Sequence, residues 1–313
     1  MDFNHHQQSF RLILLTFLVR SLFIALVVST HGEFRPFDDD FQNKKPRAGV
    51  RKQRPITVIT GHRPAIRQST CQNRPPGTVT QIHTKECSPG KLKVALLNAR
   101  SVCNKAVLIV DFIIDNTIDV LFITETWLNR ENEAVLSDLL PTGFSYTRTD
   151  RDDGRQGGGI MCVHKENINI RTITNYDSSS FELLEVDLTC GNKNFKFITM
   201  YRPPNKTTPQ QFLDEFQNYI LDKTTCSENV IIQGDFNIHV NDTSESTALN
   251  FINIITGFNL VQLVKEPTHE KGNILDLVIT RAENQIITNL TVKTSHISDH
   301  SSVIFDIDTT KPK

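Results

Sequence analysis

From Leu92 onward the chain alternates short apolar runs with polar turns, and several of those turns open into stretches with helical spacing of apolar residues. That mixture predicts an α/β domain. The strand candidates are Leu92 to Leu97, Asp119 to Thr124, Gly159 to His164, Leu183 to Leu188, Phe195 to Met200, Val230 to Gln233, Ile274 to Ile279 and Val303 to Ile307. They are short and mostly apolar, as strands of a buried sheet should be. Pro209 to Leu221 predicts a helix, because Thr208 can cap it, Pro209 suits its first turn, and Phe212, Phe216, Tyr219 and Ile220 share one face. That aromatic stripe reads as core. Lys105 to Asp115 and Ser246 to Thr256 are further helix candidates, and no internal repeat is visible.

Upstream the pattern is lost. Residues 31–93 are rich in Pro, Arg, Gln and Thr, and no apolar periodicity survives there for more than a few positions. This is the composition of an unstructured linker. It carries 13 Lys+Arg against 5 Asp+Glu, a surplus of +8, whereas residues 94–313 carry 19 against 29, a deficit of −10. The overall net charge of −1 therefore hides a basic arm in front of an acidic domain. Such an arm can hold a polyanion such as DNA by releasing counterions, or it can be a solvated tail with no partner.

Ahead of the linker, Leu12 to Val28 reads LILLTFLVRSLFIALVV, 17 residues with Arg20 near the centre. That is short for a membrane span, and a central charge costs roughly 2.5 to 3.5 kcal/mol on insertion scales. Arg11 and Arg20 as a positive leader, Ser21 to Val28 as an apolar core and cleavage near Thr30 or Gly32 give a second parse, a signal-like segment. The expected organisation is thus a leader at 1–32, a basic linker at 33–91, one domain at 92–308 and a tail at 309–313. The leader allows contact with a membrane or a secretory destination. A short hydrophobic helix with no targeting role is the plain alternative.

Bulk composition, 38% apolar and 22% charged, is ordinary for a globular protein. The six cysteines include no CxxC or Cys/His spacing, which argues against structural zinc, and Cys162 lies inside an apolar run as a small hydrophobe would. Sequons at Asn205, Asn241 and Asn289 matter only in a secreted chain.

Candidate chemistry gathers where apolar runs stop. Leu97 gives way to Asn98, Thr124 to Glu125, and Gln233-Gly234 to Asp235, and strand ends are where α/β proteins assemble sites. Asn98 can equally cap a turn. Glu125, directly after Val120-Leu121-Phe122-Ile123, must reach solvent, a cation or a partner, and a metal ligand is the favoured reading. Asp235 and Asn237 are two apart, so on an extended segment both point to one side. Tyr201-Arg202-Pro203-Pro204 ends another run and would present a hydroxyl and a guanidinium to a phosphate, although a solvated Arg is the commoner meaning. Gly157-Gly158-Gly159 lacks the Lys-Ser/Thr of a phosphate-binding loop and leads into a strand, so it reads as a turn with close backbone packing. Asp276 is the one carboxylate in Ile274-Leu275-Asp276-Leu277-Val278-Ile279 and needs a partner, which the imidazole of His300 could be. The alternative is an Asp on the wet face of an edge strand. With Asp299 beside His300, an oxygen ligand for a hard cation and a proton-handling imidazole adjoin, the mixture that metal-assisted phosphodiester cleavage requires.

Taken in order, Asn98-Ala99-Arg100-Ser101, Thr124-Glu125-Thr126-Trp127, Tyr201-Arg202-Pro203-Pro204, Gly234-Asp235-Phe236-Asn237, Leu275-Asp276-Leu277 and Ser298-Asp299-His300 resemble the endonuclease/exonuclease/phosphatase superfamily. The nearest look is to the apurinic-type endonuclease domain of non-LTR retrotransposons. The resemblance covers about residues 92–308 and implies a deoxyribonuclease I-like four-layer α/β/β/α sandwich that nicks DNA with Mg²⁺, or Mn²⁺, as cofactor. It implies that Glu125 binds the cation beside Asn98 and Asp299, that Asp235 orients or activates water, and that Asn237 fixes both Asp235 and the phosphate. Tyr201 and Arg202 would contact phosphate, and Asp276 would hold His300; which of His300 and Asp235 is the base stays open. A reverse transcriptase normally follows such a domain, so a chain that stops at Lys313 is expected to be a freestanding nuclease, a fragment or a domesticated remnant. The alternatives are a phosphatase or phospholipase-type phosphodiesterase of the same superfamily, which a hydrophobic leader would suit, and a silent nucleic-acid-binding remnant. The family resemblance points to the nucleus, and the leader to a membrane or the secretory route.

Overall fold

The structure, a computed structural model, describes residues 58–62 and 90–310, apart from 130–131, 152–155, 174–175, 191–192, 205 and 227–228. All of these lie in a compact unit spanning residues 53–313; the leader, Cys71, Cys87 and the sequon residue Asn205 lie outside the described residues. In chain order the elements are β1 (Val58–His62), β2 (Lys91–Asn98), α1 (Ala106–Asp115), β3 (Val120–Thr124), α2 (Glu133–Leu139), β4 (Phe144–Thr149), β5 (Ile160–Lys165) and β6 (Asn169–Ile173). They continue with β7 (Glu182–Cys190), β8 (Lys193–Tyr201), α3 (Pro209–Cys226), β9 (Val230–Asp235), α4 (Ser246–Gly257), β10 (Leu260–Gln262), β11 (Asp276–Arg281), β12 (Ile287–Lys293) and β13 (Ser302–Asp308).

Among the described residues the strands form two sheets. One has seven strands in the order β1-β4-β5-β3-β2-β13-β12, the other six in the order β10-β11-β9-β8-β7-β6. Strand periodicity explains how the sheets stack. On β2 and β3, Leu92, Val94, Leu96, Val120 and Phe122 face the second sheet, where Val186, Leu188, Phe195 and Phe197 meet them; the Phe122 and Phe197 rings stack at 4.9 Å. The intervening Ala95, Leu97, Leu121 and Ile123 face outward onto Ile109, Phe112 and Ile113 of α1 and Leu136 and Leu139 of α2. Both faces of these strands are covered, which is why their sequence is apolar without a polar alternate. On the second sheet, α3 and α4 pack through Phe212, Phe216 and Phe251. The result is the expected helix–sheet–sheet–helix sandwich.

The eight strand candidates all form strands, with shifted ends. Ile274 and Leu275 fall outside β11, because the Thr268 hydroxyl accepts the N–H groups of both Leu275 and Asp276 at 3.0 Å and holds the chain off the ladder until Asp276. Thr208 caps α3 as expected, its Oγ1 accepting from the Gln211 N–H at 3.2 Å, and the helix runs on to Cys226. One expectation is corrected: Val58–His62, inside the stretch that composition marks as unstructured, is a strand antiparallel to β4. Its Val58-Ile59-Thr60 core is β-branched, and an existing edge supplies the hydrogen bonds that local composition cannot promise. No helix among the described residues is long and apolar enough to cross a membrane.

Candidate active site

Register brings the polar strand ends to one place. Parallel pairing of β2 with β3 sets Asn98 against Thr124, one residue before Glu125. Parallel pairing of β8 with β9 sets Tyr201 against Asp235, and antiparallel β11 sets Asp276 against the same Asp235. Asn98, fully buried, then links the two sheets: its Nδ2 donates to Glu125 Oε1 at 3.0 Å and to Asp235 Oδ2 at 2.8 Å. Its Oδ1 accepts the Arg100 N–H at 3.0 Å. Asn98, which the resemblance places beside the cation, thus turns its amide N–H groups toward the two carboxylates.

The Gly234-Asp235-Phe236-Asn237 segment is fixed by backbone geometry. Gly234 sits at φ +136°, and a Cβ there would lie 1.8 Å from the Met200 carbonyl oxygen, so only glycine lets β9 run this close to β8 before Asp235. Asn237 then turns the chain at φ +48°, its N–H bonded to Asp235 Oδ1 at 3.0 Å and its Nδ2 to Asp235 Oδ2 at 3.2 Å. Between them Phe236 is buried among Phe212, Phe216 and Phe251, with ring centroids at 6.5, 6.0 and 5.3 Å. The Asp235 carboxylate is anchored to the core by its neighbour's ring.

His300 Nδ1 donates to Asp276 Oδ2 at 2.7 Å, the pairing expected from the sequence, and this leaves Nε2 as the second ring nitrogen. Asp299 is held from two sides, by Arg100 Nη1 at 2.6 Å and by His269 Nε2 at 3.3 Å. Neither Arg100 nor His269 stood out in the sequence. His269 arrives through an isolated bridge to His300, and its ring meets that of His300 edge-on at 4.9 Å. Lys105 is also nearby, its Nζ on the carbonyls of Ala99 and Arg100 at 2.7 and 3.2 Å. Burial and the Arg100 charge lower its pKa, against the pull of Asp299 and Glu125.

Glu125 lies at φ +54°, a left-handed conformation that a non-glycine residue seldom adopts outside turns and strained sites. Its Oε2 accepts from Trp127 Nε1 at 3.1 Å. The Tyr201 hydroxyl is directed at Glu125, and burial together with the charges of Glu125 and Asp235 raises its pKa, keeping the phenol protonated. Arg202 departs from expectation. It is buried, its Nη1 donates to the carbonyls of Asn237 and Phe236 at 2.9 and 3.4 Å, and its guanidinium lies 5.1 Å over the Phe212 ring. The prolines after it turn the chain away, so Arg202 braces the Asn237 turn in place of the expected phosphate contact.

Four carboxyl groups, Glu125, Asp235, Asp276 and Asp299, therefore converge; Arg100 pairs with Asp299, whereas the bonds to Asp235 come from the neutral amides of Asn98 and Asn237. Burial and then the Asp276 charge push Asp235 up to about 8, with His300 and the Asn237 N–H offsetting only part of this. Burial opposes a charge on His300, yet Asp276, Asp235 and Asp299 raise it to about 9. Asp276 Oδ1 and Asp299 Oδ1 are buried with no hydrogen-bond partner. Two overlapping sets, His269-Asp299-His300 and Asp235-Asp276-His300, have ligand atoms within 4.8 Å of one another. Surplus negative charge with orphaned carboxylate oxygens is what a hard divalent cation relieves, so the residues fit a metal ion.

Residues 195–304 match a family model described as endonuclease-reverse transcriptase. The structure is similar to the endonuclease domain of TRAS1, a telomere-specific non-LTR retrotransposon, with a TM-score of 0.56 at 12% identity, covering 71% of this chain and 100% of that one. At such identity the likeness is one of fold, a deoxyribonuclease I-like sandwich. Other solved structures of similar fold include the AP endonuclease LMAP from Leishmania major (TM-score 0.57, 14% identity, 71% and 89% coverage). Another is the 3′ phosphatase NExo from Neisseria, solved with a product DNA hairpin (TM-score 0.52, 14% identity, 69% and 99% coverage). A search of the curated proteins finds no match. The segment matched by the family model contains Tyr201, Asp235, Asn237, Asp276, Asp299 and His300. Asn98 and Glu125 precede it and join the site through hydrogen bonds across the sandwich.

Proposed function

We propose that this domain is a divalent-metal-dependent DNA endonuclease that nicks one strand. The observation that carries the reading is the Asn98 amide bonded at once to Glu125 and Asp235, which joins a cation-seeking carboxylate to a water-orienting one across two sheets. Glu125 and Asp299 would hold the ion, Mg²⁺ or Mn²⁺, which supplies positive charge against the scissile phosphate and the leaving oxygen. Asp235, fixed on one oxygen by the Asn237 N–H and on the other by Asn98 and Asn237, orients the attacking water and takes its proton. His300, its Nδ1–H on Asp276, presents Nε2 to a phosphate oxygen, and the protonated Tyr201 hydroxyl donates beside it. Superfamily likeness to the TRAS1 endonuclease domain supports a retrotransposon-type DNA substrate, and the basic residues before β2 supply the phosphate grip that an acidic domain lacks.

The test is to incubate the full chain with supercoiled plasmid and Mg²⁺, beside a Glu125→Ala variant and an EDTA control. Open-circular product from the wild type alone is the expected result. Hydrolysis of sphingomyelin or an inositol phosphate with the plasmid untouched overturns the DNA assignment, and plasmid retained without any turnover reduces the domain to a binding module.

A further inference from the structure

Trp127 is the chain's single tryptophan and is 40% exposed, although it stands two residues from a buried catalytic centre. Core packing does not account for it, since the neighbouring Leu128, 4% exposed, anchors the loop. Its backbone is left-handed at φ +56°, and its N–H is tied to the Gly158 carbonyl at 2.9 Å. The indole edge is tied as well, Nε1–H donating to Glu125 Oε2 at 3.1 Å. Gly157 packs against the ring: a Cβ there would come 3.6 Å from Nε1 and 3.4 Å from Arg151 Nη1, ordinary van der Waals contact. The indole is therefore rigid, solvent-facing and fixed to a candidate metal ligand by its own hydrogen bond.

Arg151 flanks the same Gly157. Its Nε donates to Glu182 at 2.5 Å, its guanidinium lies 5.8 Å over the Tyr201 ring, and its buried Nη2 has no hydrogen-bond partner among the described residues. A rigid, solvent-facing aromatic plane backed by a fixed guanidinium beside a phosphodiester-cleaving site suits the face of a nucleobase.

We infer that Trp127 is a nucleobase-stacking residue, which takes an unpaired base next to the scissile phosphate. The inference rests on the nucleic-acid reading of the site but not on turnover. Stacking needs an exposed base face, so the substrate class is DNA that is single-stranded, or locally opened, at the cut.

The experiment measures binding in EDTA, where no cleavage is expected. The full chain is titrated with an oligothymidylate and with an oligomer of the same length built from abasic tetrahydrofuran nucleotides, and the Trp127 fluorescence and fluorescence anisotropy of labelled oligomers are read. Wild type should be quenched by the base-bearing strand only. Trp127→Ala should bind that strand about 5- to 100-fold more weakly and the abasic strand unchanged. Trp127→Phe, which loses the bond to Glu125 but keeps a ring, should retain most of the affinity. Equal weakening toward both oligomers, unchanged affinity in Trp127→Ala, or no binding of the base-bearing strand by wild type each overturns the assignment. Plasmid nicking by a wild type that fails this test leaves the endonuclease reading standing, and stacking without nicking does the reverse.

Discussion

Two buried carboxylates of one sheet, on strands either side of β8, meet opposite fates. Glu185 on β7, 3% exposed, is met by Lys196 Nζ at 2.8 Å, the Tyr219 hydroxyl at 2.8 Å and Lys223 Nζ at 3.0 Å. Burial works against its charge, but the bonds from Lys196, Tyr219 and Lys223 outweigh burial and hold its pKa below the ordinary value. Asp235 on β9, 1% exposed, receives only neutral amide donors and faces two more carboxylates, and is pushed up to about 8. Lysines from β8 and α3 complete the first cluster within the chain. The second has no lysine among its hydrogen-bond donors, and in the proposed function a cation supplies that charge. Compensation, more than burial, separates the two carboxylates.

The sharpest way to break this contrast is to neutralise each group. Asp235→Asn is expected to reduce plasmid nicking about 10³-fold, within the usual range for a positioned base, while its urea midpoint without a cation stays level near neutral pH and rises above about pH 8, where Asp235 would carry an uncompensated charge. Glu185→Gln should do the opposite. Its buried lysine partners lose their counter-charge at a cost of about 3 kcal/mol, read by urea denaturation, with nicking per folded molecule unchanged.

Cation linkage sharpens the same comparison. At a hundred times its dissociation constant, Mg²⁺ should stabilise the wild type by about 2.7 kcal/mol, and Glu185→Gln by as much, whereas Glu125→Gln should show almost no shift in thermal midpoint. An equal shift in all three would place the ion elsewhere.

Acid and alkali should then act on different regions. Asp235 has a folded pKa raised from 3.8 to about 8, so without a cation its contribution to stability falls as pH rises through that window. His300, raised from 6.5 to about 9, loses its contribution across that interval. Glu185, lowered from 4.5, contributes stability that is present above that value and is lost on acidification. Urea midpoints measured across the acid and alkaline ranges should therefore show a shallower alkaline decline in Asp235→Asn, with the His300 part remaining, and a shallower acid decline in Glu185→Gln. The smallest effect is expected at Glu215, whose carboxylate is lowered to about 2 by the hydroxyls of Ser178, Ser179 and Ser180 and the Ser180 N–H, against burial. Glu215→Gln should flatten the loss of stability between pH 4.5 and 2, visible by circular dichroism, and leave neutral-pH nicking untouched.

Much of this was legible because it was written locally. The apolar runs that became β2, β3, β8 and β9 are covered on both faces, and each ends at the polar residue that the site uses. Strands with a wet or mixed face were not legible: β12 alternates half-buried and exposed positions, and β6 has no fully buried residue. β4 reads FSYTRT yet is buried throughout, because its hydroxyls find partners such as Thr147 with Thr172 at 3.0 Å, which no local pattern announces. At the site, the pairing of Asp276 with His300 could be read as a lone buried carboxylate in need of an imidazole. His269 and Arg100 could not, since each reaches Asp299 from a distant loop, and Arg202 misled because a guanidinium at a strand end does not reveal which way it turns.

The strand Val58–His62 carries a practical consequence. It covers the outer edge of β4 across five paired positions, and Ser145 Oγ donates to the Gly61 carbonyl at 2.9 Å. A recombinant fragment begun at Lys91, where the family-like motifs start, would leave Phe144–Thr149 as a bare edge open to pairing with another molecule. Such a fragment should self-associate in size-exclusion chromatography, and the smallest well-behaved unit for biochemistry should begin upstream of Val58.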